Sequence, residues 1–298
     1  MSSSARPDVI LLTPVAYRDL ARAQLLLDSL HATGTKLAHF LVVDDEDIAT
    51  AERELDRRDT QLVPTSAVLP PAVSQRRATG VRRRHLRYWT RGHWRHEPRL
   101  PGWTVQQLIK LHFSAGTDAR AVVCLDSDLV VCRALTASDF VGTDGEALLF
   151  ERADTEAEML EWEIRAMRFL DVPLQGNAAL RHTFEPAVLD PVHVRGLFEL
   201  LEASSPRRWE DLFLPSNLTE YALYATYCRY RVPDSPEVRD PDLVADVRWP
   251  SQVDGWQHAA TATLDAGAKL LHVRSHLGIA PAEIEAFVRP RWSQGSSA

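Results

Sequence analysis

Ala121-Val122-Val123-Cys124-Leu125-Asp126-Ser127-Asp128-Leu129-Val130-Val131 is an apolar run interrupted by two carboxylates two positions apart. It reads as a short buried strand ending in acid. On an extended strand residues i and i+2 share a face, so the spacing aims Asp126 and Asp128 at one spot. Convergent carboxylates repel each other unless a cation sits between them. A hard divalent ion, Mg2+ or Mn2+, suits oxygen ligands and keeps positions open for substrate phosphates. A metal–diphosphate site is therefore expected at Asp126-Ser127-Asp128. The plainer alternative is a strand-to-turn junction, which attracts Asp for its own reasons.

Working outward, Asp8–Thr13 reads as a buried strand and is followed by helical spacing of Leu20, Ala23, Leu26, Leu27 and Leu30 over Arg18–His31. His39–Val43 is a second strand ending in Asp44-Asp45, and Glu46–Arg58 a second, more polar helix. Strand–helix–strand–helix at this spacing predicts an α/β fold, a Rossmann-like, mostly parallel, doubly wound sheet flanked by helices. Gln61–Pro101 reads as an irregular excursion, Gly102–Ala115 as the helix leading into the Asp-Ser-Asp strand. Further downstream the pattern predicts a strand near Glu146–Phe150, helices over Thr155–Phe169, Pro191–Ala203 and Leu218–Tyr227, and a last strand at Ala268–Val273. One domain over 1–298 is expected, divided into halves at 8–135 and 136–290. Ligands of open α/β sheets bind beyond the carboxyl ends of strands. Thr13-Pro14, Asp44-Asp45 and Asp126–Asp128 all fall at such ends.

The 298 residues carry a formal charge of −7, which argues against nucleic acid as a general partner. Between Arg76 and Arg99, however, stand nine arginines and one acid, Glu97, interleaved with Tyr88, Trp89 and Trp94. That cluster reads as a solvated loop or an anion-binding lid. Cys124, Cys132 and Cys228 have no paired spacing, which favours a reducing, cytoplasmic setting. No apolar run approaches 18 residues, so membrane insertion is not expected.

Several blocks together resemble a largely uncharacterised bacterial glycosyltransferase-like group with a GT-A-type fold. They are Thr13-Pro14 with Tyr17 and Asp19, Phe40–Asp45, Gly102-Trp103…Gln106-Gln107-Leu-Ile-Lys110-Leu111, Leu125-Asp-Ser-Asp128, and Thr219-Glu220-Tyr221-Ala-Leu-Tyr224. The resemblance runs from about Val9 to Leu277. It implies a metal-dependent transfer of sugar from a nucleotide-diphosphate donor to an acceptor it does not identify. It also implies donor contacts from Thr13, Pro14, Tyr17, Asp44, Trp103, Gln106, Gln107, Lys110, Ser127 and Arg274. Asp126 and Asp128 would hold Mn2+ or Mg2+, with His272 or His276 from the late strand as a further ligand. Arg274, on the strand face of those histidines, suits phosphate. Glu220 and His182 are the two candidates for a base that deprotonates the acceptor. For each histidine the competing role is a hydrogen-bonded structural residue, and for Glu220 a first-turn helix acid. Two other readings compete. A haloacid-dehalogenase-type phosphatase would place its Asp-x-Asp on the first strand, whereas two strand–helix units precede this one. A catalytically silent binding subunit would be expected to lose the Asp-Ser-Asp, Gln-Gln-x-x-Lys and Thr-Glu-Tyr residues.

Overall fold

All seven residues of Val9–Val15 are buried, as befits a strand covered on both faces. The computed structural model describes residues 8–75, 77, 100, 102–153, 157–173, 180–181, 185–213, 216–232, 237–239, 243–247 and 253–292. The first half runs β1 (Val9–Val15), α1 (Leu20–Ala32), β2 (Ala38–Val43), α2 (Ile48–Glu54), β3 (Thr60–Pro64), α3 (Thr65–Val68), α4 (Gly102–Ala115), β4 (Ala121–Cys124) and β5 (Leu129–Val131). Next come β6 (Leu149–Ala153), α5 (Ala157–Phe169), β7 (Leu180–Arg181), β8 (Ala187–Leu189), α6 (Pro191–Ser204) and α7 (Trp209–Phe213). The last part is α8 (Glu220–Arg231), β9 (Glu237–Arg239), β10 (Val244–Val247), α9 (Trp256–Asp265), β11 (Leu270–Val273) and α10 (Pro281–Trp292).

The central sheet has the order β3-β2-β1-β4-β8. Its first four strands are parallel and β8 is antiparallel to β4. Alternation along β1 sorts its side chains to two faces. Ile10 and Leu12 join Leu108, Ile109 and Leu111 of α4 in one core cluster. Val9 and Leu11 join Leu26 and Leu30 of α1 in another. Each such aliphatic side chain contributes about 1.5–3 kcal/mol by leaving water. The chain winds outward from β1 to β3 and then returns to lay β4 on the other side of β1. The order therefore switches between β1 and β4, which leaves a crevice at their carboxyl ends.

Two expectations are corrected. The excursion does not begin at Gln61, because Thr60–Pro64 pairs in parallel with β2. A five-residue edge strand closed by proline has too weak a pattern to read locally; the pairing makes it. Nor is Ala121–Val131 one strand. β4 ends at Cys124, the chain turns at Asp126–Asp128 with Leu129 N–H donating to Asp126 O at 3.1 Å, and β5 leaves the central sheet. β5 pairs antiparallel with β11, which in turn lies parallel to β10. Among the described residues no helix is long and apolar enough to cross a membrane.

Candidate functional site

The crevice between the ends of β1 and β4 opens into a cleft of about 790 Å³. Pro14 and Tyr17 line it from the end of β1, Asp44 from the end of β2, and Trp103 and Gln106 from the start of α4. Asp126, Ser127 and Asp128 line it from the turn after β4, and Arg274 and His276 from the segment after β11. Ten of the residues read from sequence thus meet in one place. Tyr17 and Trp103 are 56% and 46% exposed, large rings held in solvent at the cleft wall. Trp103 also packs against Trp162 of α5, ring centres 6.2 Å apart. Asp44 is held by an ion pair with Arg77 and by the Thr65 hydroxyl, which donates to it at 3.3 Å.

The two aspartates of the turn have separate partners. Asp126 Oδ1 lies 3.0 Å from Lys110 Nζ. Lys110, buried on α4, also reaches Glu185 Oε1 at 3.1 Å and Glu220 Oε1 at 3.0 Å. Three carboxylates therefore share one ammonium. Burial alone would lower the Lys110 pKa, but the Asp126, Glu220 and Glu185 charges raise it well above the usual lysine range. Burial likewise opposes ionisation of Asp126, and the Lys110 ammonium outweighs it to leave that carboxyl below its ordinary value. Glu185 goes the other way. Burial, reinforced by the Asp126 charge, pushes it well above the carboxylate range. Tyr221 donates its hydroxyl to Glu185 Oε1 at 3.1 Å and lies under Lys110, whose Nζ is 4.5 Å from the ring centre.

Asp128 faces the second sheet. His272 Nε2 lies 2.9 Å from its Oδ1, and Ser275 N–H donates to Oδ2 at 2.9 Å. Against the cost of burial, His272 and that backbone donor hold Asp128 below the usual carboxylate range. On its other side His272 presents Nδ1 to Asp246 Oδ1 at 3.8 Å. One donor atom each from Asp128, Glu185 and His272 lies within 4.8 Å of the others, so these three can hold a metal ion.

Other residues are placed elsewhere than the cleft wall. Thr13 is fully buried, with its hydroxyl 2.9 Å from His39 Nε2 inside the sheet. Gln107 is 1% exposed on the core side of α4, because it stands one residue, about 100° of helix, from Gln106. Lys110 reaches the cleft only through Asp126. Glu220 is 3% exposed. His272 is buried behind Asp128, whereas His276 is exposed at the cleft. His182 lies outside the described residues, as does most of the Arg76–Arg99 cluster. Glu185 escapes a reading of the sequence altogether. It precedes Pro186 just before β8, in no acidic pattern, and only the antiparallel pairing of β8 on β4 brings it to Asp126 and Asp128. The sole local signal is an acid at the mouth of a short apolar strand.

In overall structure the chain is similar to several glycosyltransferases. The apo structure of the bifunctional glycosyltransferase WbbM is 12% identical, with a TM-score of 0.46. The match covers 98% of this chain, which spans 53% of the length of that one. The galactosyltransferase LgtC, in complex with donor and acceptor sugar analogs, is 10% identical, with 94% and 95% of the two chains covered and a TM-score of 0.48. Mouse xyloside xylosyltransferase 1 is 13% identical, with 91% and 99% covered and a TM-score of 0.42. No curated protein matches the sequence. Over residues 8–289, nearly its whole length, the chain matches one family model, and it belongs to that family of unknown function, DUF6492.

Proposed function

We propose that the protein transfers a sugar from a nucleotide-diphosphate donor, held in the cleft beyond β1 and β4, to a hydroxyl-bearing acceptor. The observation that carries this reading is the convergence of Tyr17, Asp44, Trp103, Gln106, Asp126–Asp128 and Arg274 on one cleft at a strand-order switch. Exposed rings at Tyr17 and Trp103 suit a base or sugar face. Arg274 offers a planar fork for phosphate. The acids and the imidazole gathered around the turn suit Mn2+ or Mg2+, which would supply neutralisation of charge on the departing diphosphate. Glu220 is assigned to holding Lys110 rather than to proton abstraction. A base must come within about 2.6–3.2 Å of the acceptor hydroxyl, and Glu220 is buried away from the cleft. His182 is then the remaining candidate for the base. Three buried cysteines that form no disulfide fit a reducing, cytoplasmic setting.

A thermal-shift panel of nucleotide sugars with and without Mn2+ tests the reading. A donor at one hundred times its Kd should stabilise the fold by about 2.7 kcal/mol. The shift should shrink in Trp103→Ala, which removes an exposed ring and costs the fold little. If no nucleotide sugar shifts the melt, with or without metal, the transferase reading is wrong.

A further inference from the structure

We propose that Glu185, rather than Asp126, is the second carboxylate of a divalent-cation site whose other donors are Asp128 and His272. The proposal rests on the metal-assisted reading above and names its ligands. Asp126 and Asp128 share a motif but not a strand, and the turn sends them to different partners. Asp126 is committed to the Lys110 ammonium at 3.0 Å and its side chain is 35% exposed, so water can satisfy its other oxygen. Glu185 has no such outlet. Its side chain is 6% exposed, Oε1 is taken by Lys110 and Tyr221, and Oε2 is buried with no donor aimed at it, the carboxyl standing against that of Asp126. A buried carboxylate oxygen left without a donor is a costly arrangement. A cation held against Oε2 removes that cost.

The donor set fits. Asp128, Glu185 and His272 supply two oxygens and one imidazole nitrogen within 4.8 Å of one another. Around an octahedral ion with ligands at about 2.1 Å, neighbouring donors stand about 3 Å apart. Asp128 Oδ1 and His272 Nε2 already stand 2.9 Å apart. Coordination through Nε2 would leave the ring proton on Nδ1, which faces Asp246 at 3.8 Å, a carboxylate behind a ligating histidine. Asp128 lines the cleft floor, which gives the site its access to a bound diphosphate.

The test is Mn2+ titration of the full chain, read as loss of the free-ion electron paramagnetic resonance signal, with urea melts confirming that each variant folds. Glu185→Gln and His272→Gln should each raise the Mn2+ Kd about tenfold or more. Asp126→Asn and His276→Gln should stay within about threefold of wild type, well short of the loss expected for a ligand. Should the buried Glu185→Gln variant fail to fold, Asp126→Asn at its partly exposed position still decides. Retained Mn2+ affinity there supports the proposal, and a tenfold loss overturns it. A loss in Asp126→Asn also leaves metal-assisted transfer standing, with the ion returned to the Asp-Ser-Asp pair. A wild-type chain that binds no Mn2+ overturns the proposal and the metal together, while the donor panel still reports on transfer.

Discussion

Lys110→Met removes the single ammonium that Asp126, Glu185 and Glu220 share at 3.0, 3.1 and 3.0 Å. Methionine fills similar volume, so the change isolates charge from packing. Deleting one partner of a buried ion pair costs about 3–5 kcal/mol, because it strands a charge out of water. Three stranded carboxylates do not triple that figure. Burial already pushes Glu185 well above the carboxylate range and raises Glu220, so in the variant they take up protons rather than stay charged. Asp126, partly exposed, recovers some hydration. A loss of about 3–5 kcal/mol is therefore expected from equilibrium urea unfolding in the presence of a chelator, as a lower midpoint at unchanged m. That is a large share of the roughly 5–15 kcal/mol of an ordinary domain. The double variant Lys110→Met/Glu220→Gln should be more stable than Lys110→Met alone, since it removes one stranded acid. The cycle should show a coupling of about 0.5–3 kcal/mol. A single-variant loss under about 1 kcal/mol, or a double variant that merely sums its singles, would refute the view of Lys110 as the counter-ion of the site.

Two further predictions concern positions away from the cleft. His39 is buried between Thr13 and Thr60, and burial pushes its pKa down to about 3. The unfolded chain binds a proton there below about pH 6.5 and the folded one does not. Stability from this group is thus fully present above that pH and lost, at about 1.4 kcal/mol per pH unit, as pH falls toward 3. Urea melts from pH 7 to 4 should show a shallower acid loss in His39→Gln, and identical slopes would exclude His39 as the cause. Thr219 caps α8 by accepting from Ala222 N–H at 3.1 Å. Thr219→Ala should lower stability by about 1 kcal/mol. No change in the urea midpoint would show that the cap contributes nothing.

Much of the frame is local information. The unbroken apolar run of β1 announces a strand buried on both faces, and the 3.6-residue spacing of α1 and the boundaries of α4, Gly102–Ala115, are legible because periodicity is carried by neighbours. The cleft wall follows from that frame. Pro14, Tyr17, Asp44 and the turn acids lie at strand ends, and a parallel sheet gathers its strand ends on one edge. Side-chain direction is less legible. Thr13 points into the sheet to His39 although Pro14 lines the cleft, and Gln107 turns inward although Gln106 turns out. A single residue of register decides each case.

By itself the sequence determined the α/β class, the order of its first units and the edge of the sheet at which its polar residues meet. Hydrophobic period and strand-end acids are properties of adjacent residues, and adjacent residues are what a sequence displays. Only the tertiary structure decided who partners whom there. Lys110 meets Glu185 across 75 residues, and Asp128 meets His272 across 144. No spacing rule links them, because they are joined by β8 pairing on β4 and by β5 crossing to β11. The Asp-Ser-Asp motif is the clearest instance. Its composition marked the site, while the turn between two sheets parted its carboxylates and gave each a different partner.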